Sequence, residues 1–442
     1  MPKSQYIDPK EMRKAGEITF SPIPVNQYKK TAKEELKSKH FTKDDLKRIY
    51  RDMVVIREFE TMLQLVKTTG GYNGVEYNNP GPAHLSAGQE AAAVGMAYML
   101  DINDFIFGSH RSHGEILAKG LRAIELLDDK SLEKIMNEFW DGATVNVAKK
   151  AFKGGSVKEL GIRFLLYGAL AEVFARTTGF NKGLGGSMHT FFTPFGIYPN
   201  NAIVGGSGSI AVGAALYKKV NRKPGVVVAN LGDASMARGP VWEGMTFAAM
   251  DQFKQLWADD MKGGLPVIIN IMDNQYGMGG QTRGETMGFD FAARIGAGVN
   301  PEQMHAERVD GFNPLAVIDA YRRKKAILEK EKAGPVLLDV LTYRYSGHSP
   351  SDASSYRTKE EVEAWEAQDC IVSYGKELID AGVATQADLD AVTKEIKEIM
   401  FDTFKLSIDD ELSPRMDLHK EPELLGTMMF SNQSIDSLSD AK

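Results

Sequence analysis

Oxygen-bearing residues follow two apolar runs of the sequence, at the point where each run ends. Asp233 comes shortly after the run at 225–230, and Asn274 and Tyr276 follow the run at 266–272. Mg²⁺ takes near-octahedral oxygen ligands, usually a few protein groups together with phosphates and water. One carboxylate (Asp233), one amide oxygen (Asn274) and the backbone carbonyl of Tyr276 would suit it.

The residues around Asp233 favour a phosphate group beside that metal ion. Gly232 allows the chain to turn sharply, and the backbone amides of Ala234 and Ser235 precede a predicted helix. Such amides form a nest for phosphate oxygens, helped by the helix N-terminus. Either segment alone is more often an ordinary turn, but their position after two adjacent candidate strands favours a joint metal and diphosphate site.

The elements that must position these residues form an alternating pattern. Short continuous apolar runs at 225–230, 266–272 and 335–343 alternate with helical stretches near 241–250 and 314–332. Such runs are typical of parallel strands that are buried on both faces. The sequence therefore predicts a doubly wound, mostly parallel α/β sheet flanked by helices, which binds ligands beyond the carboxyl ends of its strands.

The rest of the chain is predicted to extend this single domain. Residues 1–40 are polar and indicate an irregular N-terminal arm, residues 41–412 the domain itself, and residues 413–442 a C-terminal tail that frays at its end. Stretches near 124–165 and 251–264 are predicted as surface insertions. Three spacings predict capping boxes at helix starts: Thr42 with Asp45, Thr358 with Glu361, and Thr385 with Asp388.

Composition excludes several classes of protein. The chain has 442 residues, 43% of them hydrophobic and 25% charged, with a formal net charge of −6 and no long basic run, so nucleic-acid binding is not expected. No stretch approaches the length of a membrane span. The N-terminus lacks the apolar core of a signal peptide, and Cys370 is the single cysteine. These features favour a cytoplasmic location and a structural Cys370.

Further motifs stand in a fixed order around the metal and phosphate residues, and together they resemble a known family. The resemblance is to the α subunit of the E1 components of 2-oxo acid dehydrogenases, which are the thiamine diphosphate enzymes of the pyruvate, branched-chain and acetoin dehydrogenase complexes. It covers roughly residues 45–120 and 165–370. The motifs besides Gly232-Asp233 are HLSAGQEAAAVG (84–95), GSHRSHG (108–114), KGLGGSMH (182–189), NAIVGG (201–206), DNQYGMG (273–279), RVDG (308–311), TYRYSGHSPSD (342–352) and SYRTKEE (355–361).

The resemblance implies a set of cofactor-binding residues. Asp233, Asn274 and the Tyr276 carbonyl would bind Mg²⁺. The diphosphate would meet Gly232, Ala234, Ser235 and Arg111, and other parts of the cofactor would meet His110, Ala202, Val204 and His348. Three positions depart from the family pattern: Ala234 replaces a glycine, Asp273 an asparagine, and His110 a tyrosine. The glycine clusters at 183–186 and 205–208 do not have the pattern of a dinucleotide-binding loop.

The resemblance also implies acid–base and docking residues. His348 would shuttle protons at the reacting centre, since a histidine can do so near neutral pH. His113 and His84 would face the substrate, although a structural role is equally compatible with either. Tyr356 and Arg357 would help to dock a lipoyl group.

The activity implied by the resemblance needs partners. The enzyme would decarboxylate a small 2-oxo acid, pyruvate by default, and pass the acyl group to a lipoyl-bearing E2 acyltransferase. The activating glutamate would come from a separate β subunit in an α₂β₂ heterotetramer. The alternatives are an acetoin or branched-chain substrate, a transketolase-like transfer, and a non-catalytic paralogue that acts as a scaffold.

Overall fold

The computed structural model describes residues 6–424, and its centre is a parallel sheet. The strands are β1 (Gly71–Tyr72), β2 (Val75–Glu76), β3 (Phe105–Phe107), β4 (Ile197–Tyr198), β5 (Val227–Gly232), β6 (Val267–Asp273), β7 (Glu307–Asp310) and β8 (Val336–Leu341). β1 and β2 form a small antiparallel pair, and the other six run parallel in the order β4-β3-β5-β6-β8-β7. The three predicted strands are β5, β6 and β8, and the predicted fold class is confirmed.

Helices cover both faces of this sheet. They are α1 (Pro9–Met12), α2 (Ala32–Lys37), α3 (Lys43–Thr69), α4 (Glu90–Tyr98), α5 (His113–Leu126), α6 (Asp129–Glu138), α7 (Ala143–Ala148), α8 (Val157–Val173), α9 (Gly206–Val220), α10 (Gly239–Ala248), α11 (Pro314–Glu329), α12 (Lys359–Glu366), α13 (Cys370–Asp380) and α14 (Gln386–Ile408). No helix within residues 6–424 is long and apolar enough to span a bilayer.

The central strands are apolar throughout because both of their faces are buried. Val228 and Ile268 pack into the larger hydrophobic cluster, with α3, α5 and α8. Their neighbours Val227 and Ile269 point the other way, into the cluster formed with α9 and α10. Successive side chains of a strand alternate between faces, so a strand covered on both sides shows a continuous apolar run rather than an alternating one.

The strand register brings the predicted site residues to one edge of the sheet. Gly232 at the end of β5 lies opposite Met272 of β6, and Asp273 lies opposite Leu341 of β8. The residues that follow these strands therefore leave the sheet side by side. This edge is the carboxyl end, where open parallel sheets bind their ligands.

The N-terminal arm has more structure than was predicted. α1 and α2 lie within it, and α2 begins at a complete capping box of Thr31 and Glu34. Residues 24–26 also extend along β7, where the Arg308 amide donates to the Pro24 carbonyl and the Asn26 amide donates to the Arg308 carbonyl, both at 2.9 Å. The prediction of an irregular arm is therefore wrong at these two short helices, and the rest of residues 6–40 is irregular as predicted; residues 1–5 lie outside the described part.

The stretch at 124–165 is not a surface insertion. Its side chains Leu132, Met136, Val145 and Phe164 are buried in the larger cluster. The prediction was wrong because α6 is rich in charged residues and buries only Leu132 and Met136, so its apolar face is narrow in the sequence. The stretch at 251–264 forms a π-helical turn (Gln252–Leu256) and a 3₁₀ turn (Asp259–Met261). It precedes the amino end of β6, and so lies away from the carboxyl edge.

The C-terminal tail begins inside the fold. Ser413 is buried, and its hydroxyl lies 2.5 Å from the Tyr167 hydroxyl. Residues 425–442, which include the segment predicted to fray, lie outside the described residues. Cys370 is buried at the start of α13, as its predicted structural role requires, and burial raises the pKa of its thiol well above the usual range.

Candidate functional site

A cavity of about 330 Å³ opens at the carboxyl edge of the sheet. The loops after β5, β6 and β8 form one side of it, and the segments before α5 and α9 form the other. Most of the predicted site residues line this cavity together: His84, His110, Ala202, Val204, Gly232, Asp233, Ala234, Ser235, Asn274, Tyr276 and His348.

Asp233 is a buried carboxylate in this wall without an ion-pair partner among the described residues. It opens a 3₁₀ turn (Asp233–Ala237) directly after β5, is 2% exposed, and its Oδ2 has no hydrogen-bond partner among the described residues. Burial, and then the neighbouring Asp273 carboxylate, raise its pKa well above the usual range. A buried carboxylate in this state needs a cation or a proton.

Arg308 bonds two other buried carboxylates and makes no ion pair with Asp233. Arg308 donates from Nη1 to Asp273 Oδ2 at 2.7 Å and to Asp339 Oδ2 at 2.8 Å. Asp233 has no ion-pair partner within 4 Å in the described part of the chain. Arg308 is thus shared by Asp273 and Asp339, and the positive charges that act on Asp233 are those of Arg344 and Arg111, neither of which makes an ion pair with it. The Asp233 carboxylate therefore suits a divalent cation.

The other two predicted metal ligands are oriented by neighbours. The Asn274 side-chain amide donates to Gln89 Oε1 at 3.0 Å, and Asn274 Oδ1 accepts from the Tyr276 amide at 3.2 Å, which leaves this oxygen one further lone pair. The Tyr276 hydroxyl donates to both oxygens of Glu361, at 2.7 and 2.8 Å. Within residues 6–424 no three His, Cys, Asp or Glu side chains converge as metal ligands. A cation here would therefore rely on one carboxylate, amide and carbonyl oxygens, and phosphate.

The Tyr276 contact explains why one predicted capping box is incomplete. Thr358 accepts from the Glu361 amide at 3.1 Å, as predicted. The Glu361 carboxylate, however, faces the hydroxyls of Tyr276 and Tyr343 instead of the start of the helix. The boxes of Thr42 with Asp45 and of Thr385 with Asp388 are both complete.

Arg344 is a site residue that the sequence reasoning missed. It lines the cavity and donates to the Tyr276 carbonyl at 3.3 Å, the Gly277 carbonyl at 2.9 Å and the Tyr356 hydroxyl at 2.7 Å. It lies in the TYRYSGHS motif, four residues before His348, so its place directly after β8 was the available signal. His189, for which the sequence favoured a structural role, also lines the cavity, and further lining residues that were not predicted include Met188, Asn200, Asn201, Ile203, Ser207 and Arg238.

Three histidines stand together at the cavity. The ring centroids of His84 and His348 are 5.0 Å apart, those of His84 and His110 5.4 Å, and those of His110 and His348 5.6 Å. Burial, and then the nearby Arg111, lower the pKa of His84 to about 3 and that of His348 to about 4, and the pKa of His110 falls well below its usual range. All three are therefore neutral imidazoles at pH 7.

Two residues predicted to face the ligand lie behind the wall instead. Arg111 is buried, and its guanidinium donates to the Leu85 carbonyl at 2.7 Å and the His348 carbonyl at 3.0 Å. His113 is also buried, and bonds Glu60 and Ser187. Neither lines the cavity, so the structure does not bring them to the ligand side with the others.

The loop that carries Tyr356 and Arg357 folds back onto the site. The Tyr356 hydroxyl donates to Asp352 Oδ2 at 2.6 Å, and Asp352 also accepts from the His348 amide at 2.7 Å. Arg357 donates to the carbonyls of Arg344 at 2.6 Å and Ser346 at 3.0 Å. These bonds hold His348 in place, and the docking of a lipoyl group by this loop stays a prediction.

The glycine cluster at 183–186 holds an internal anion. The buried Glu172 carboxylate accepts from the amides of Asn181 at 2.7 Å, Gly183 at 2.8 Å and Gly185 at 2.6 Å. Gly183 has a φ of +79°, and a Cβ there would come within 2.5 Å of the Ala175 carbonyl carbon. The amide nest is therefore filled by Glu172 and is not a phosphate site.

The fold and the site together are those of an α/β enzyme subunit with a buried carboxylate and three neutral imidazoles at the carboxyl edge of its sheet. The chain belongs to the Dehydrogenase E1 component family, which it matches over residues 51–151 and 142–414. This confirms the resemblance. Membership of the family implies thiamine diphosphate as the cofactor and a β subunit as a partner.

Named relatives agree with this assignment. The chain is 30% identical over 371 residues to the pyruvate dehydrogenase E1 component subunit alpha of Rhizobium meliloti (strain 1021), covering 84% of this chain and 87% of the relative. It is 28% identical over 399 residues to the subunit of the same name from Rickettsia conorii, covering 90% and 98%. It is 29% identical over 400 residues to the mitochondrial type II subunit of Ascaris suum, covering 90% and 84%.

Proposed function

We propose that this chain is the α subunit of an E1 enzyme that decarboxylates pyruvate and, together with a β subunit, passes the acyl group to a lipoyl-bearing acyltransferase. The observation that carries the proposal is the buried, unpaired Asp233 carboxylate at the head of a cavity lined by Asn274, Tyr276 and His348. The relatives named for pyruvate dehydrogenase support pyruvate as the substrate.

The Asp233 carboxylate, which has no ion-pair partner among the described residues, supports Mg²⁺ as the metal. Asp233, Asn274 Oδ1 and the Tyr276 carbonyl would supply three oxygens, and phosphate and water the others. The amides of Ala234 and Ser235 precede α10, so the diphosphate would lie against a helix N-terminus. Ala234 keeps the amide that the usual glycine provides, and Arg238 and Arg344 add positive charge to the lining.

The neutral histidines suit the reaction. Bound thiamine diphosphate would supply the electron sink for loss of carbon dioxide from the 2-oxo acid. His84 and His348 line the same cavity, and as neutral imidazoles they can accept a hydrogen bond from a reacting group, although their lowered pKa values make them weak bases at pH 7. The surrounding walls would exclude water from the reacting carbon.

The rim of the cavity supports a partner chain. Ile203, Val204 and Met278 line the cavity mouth and are 65%, 57% and 82% exposed. Large apolar side chains grouped at a functional cavity mark an interaction surface. A β subunit would cover this rim and complete the site. The α₂β₂ stoichiometry and the cytoplasmic location stay predictions.

The test is an activity screen on the assembled complex. This chain is co-expressed with its β subunit, and substrate-dependent reduction of an artificial electron acceptor is measured with pyruvate, branched-chain 2-oxo acids and acetoin. Highest kcat/KM with pyruvate is the expected result. Preference for another substrate would replace pyruvate by an alternative in the same class. Cofactor binding without any turnover would contradict the catalytic assignment and favour a scaffold.

A further inference from the structure

Behind the cavity wall, a buried row of hydrogen bonds joins Glu60, His113 and Ser187. The proposed chemistry does not use His113. Glu60 lies at 3.0 Å from His113 Nδ1, and His113 Nε2 lies 2.9 Å from the Ser187 hydroxyl. The exposed fractions of Glu60, His113 and Ser187 are 0%, 3% and 4%. None of the three lines the cavity.

Only one assignment of donors and acceptors satisfies this row of hydrogen bonds. A carboxylate accepts, so Glu60 holds the His113 proton on Nδ1 and leaves Nε2 as an acceptor. The Ser187 hydroxyl then donates to Nε2, and Ser187 Oγ accepts from the His84 amide at 3.4 Å. The arrangement resembles a nucleophilic serine with its base, but Ser187 is buried and both sides of its hydroxyl are occupied.

The row clamps the segment that carries His84. The Ser86 hydroxyl donates to Glu60 at 2.8 Å, and the His84 amide donates to Ser187. Between them, the Leu85 carbonyl accepts from Arg111 at 2.7 Å. Three consecutive residues are thus each bonded to a buried group, and Ser187 precedes Met188 in the cavity wall.

We propose that Glu60, His113 and Ser187 are positioning residues, which hold the His84 ring against His348 and fix the wall at Met188, and that His113 itself does not exchange protons with the substrate. Its activity test rests on the proposed function. Misplacement of a reacting group by about 1 Å costs on the order of a hundredfold in rate, so a row of this kind affects kcat more than cofactor affinity.

Two amide substitutions separate positioning from proton transfer. In His113→Gln, the side-chain amide occupies the position of Nε2 and keeps the hydrogen bond to Ser187. In His113→Asn, the shorter side chain places its amide at the position of Nδ1 and keeps only the hydrogen bond to Glu60. Neither amide titrates. On the assembled complex we expect kcat within about threefold of wild type for His113→Gln and a loss of about ten- to a hundredfold for His113→Asn. Calorimetry should give unchanged thiamine diphosphate affinity for both.

Equal loss of kcat in both variants, with one limb of the pH profile removed, would show that His113 transfers protons and would overturn the proposal. Unchanged kcat in both would overturn it as well.

A second readout does not depend on the proposed function. Hydrogen exchange of the cofactor-free complex should become faster at residues 84–86 and 186–189 in His113→Asn and in Ser187→Ala, and not in His113→Gln. Ser407→Ala, which removes a buried hydroxyl bonded to the Thr403 carbonyl in α14, is the matched control. Unchanged exchange in both test variants would contradict the clamp, whether or not the complex binds thiamine diphosphate.

Discussion

Glu172→Gln should detach the glycine loop that forms part of the cavity wall. Three amide donors, from Asn181, Gly183 and Gly185, reach the two carboxylate oxygens at 2.6 to 2.8 Å. Hydrogen bonds to a charged group stabilise by about 1.5–3 kcal/mol each, and a buried donor without an acceptor costs about 1–3 kcal/mol. Glutamine keeps one oxygen and places an NH₂ group toward the remaining donors. We therefore expect a loss of about 3–5 kcal/mol in the stability of this loop.

The loss should be visible locally before it is visible globally. Loops open in smaller units than the whole domain, so proteolysis and hydrogen exchange at residues 181–189 are the sensitive assays. Urea denaturation measures the part of the loss that is coupled to global unfolding. The control is Glu363→Gln, since Glu363 pairs with Lys359 on an exposed helix surface and should change stability by less than about 0.5 kcal/mol.

Unchanged hydrogen exchange and stability in Glu172→Gln would contradict this prediction. If Glu172→Gln leaves exchange at Gly183 and Gly185 unchanged and shifts the free energy of unfolding by no more than the control, the nest is not held by a carboxylate. The glycine cluster would then be free to bind an external anion, and its exclusion from the phosphate site would be wrong.

Two further predictions concern a buried acid and the apolar rim. Burial raises the pKa of Glu115 from 4.5 to about 7, although the hydrogen bonds from Ser109 oppose this shift. Ionisation of Glu115 therefore destabilises the folded state as the pH rises from about 4.5 through 7. Glu115→Gln should therefore gain stability relative to wild type between pH 5 and pH 8, by about 1–3 kcal/mol at pH 8 in urea denaturation; a gain that shrinks as pH rises would contradict the sign. Ile203→Asp with Val204→Asp should keep the isolated chain folded by circular dichroism but prevent co-purification with a β subunit, and an unchanged yield of complex would place the interface elsewhere.

Parts of the fold and site were readable from the sequence because each depended on local patterns. Continuous apolar runs identified β5, β6 and β8, and polar residues at their ends identified Asp233 and Asn274. In contrast, β3 and β4 have three and two residues, too short to give a pattern. β3 is placed by its pairing with β5 and β4 by its pairing with β3, both over long sequence separations.

The roles of buried polar residues were the least readable part. Nothing in GSHRSHG distinguishes His110, which faces the cavity, from Arg111 and His113, which face the interior. The direction of each side chain is decided by the turn before α5 and by partners such as Glu60, which lies 53 positions away in sequence from His113. Motifs locate a site, whereas side-chain direction requires tertiary contacts.

The central claim is that Asp233 and its neighbours hold thiamine diphosphate through a divalent cation. The most direct measurement is calorimetry of thiamine diphosphate binding to the assembled complex, with Mg²⁺ and with EDTA, for wild type and Asp233→Asn. We expect binding that requires Mg²⁺ and that weakens at least about tenfold in the variant, a loss of at least about 1.4 kcal/mol. Binding that is equally tight in EDTA, or that survives Asp233→Asn unchanged, would contradict it.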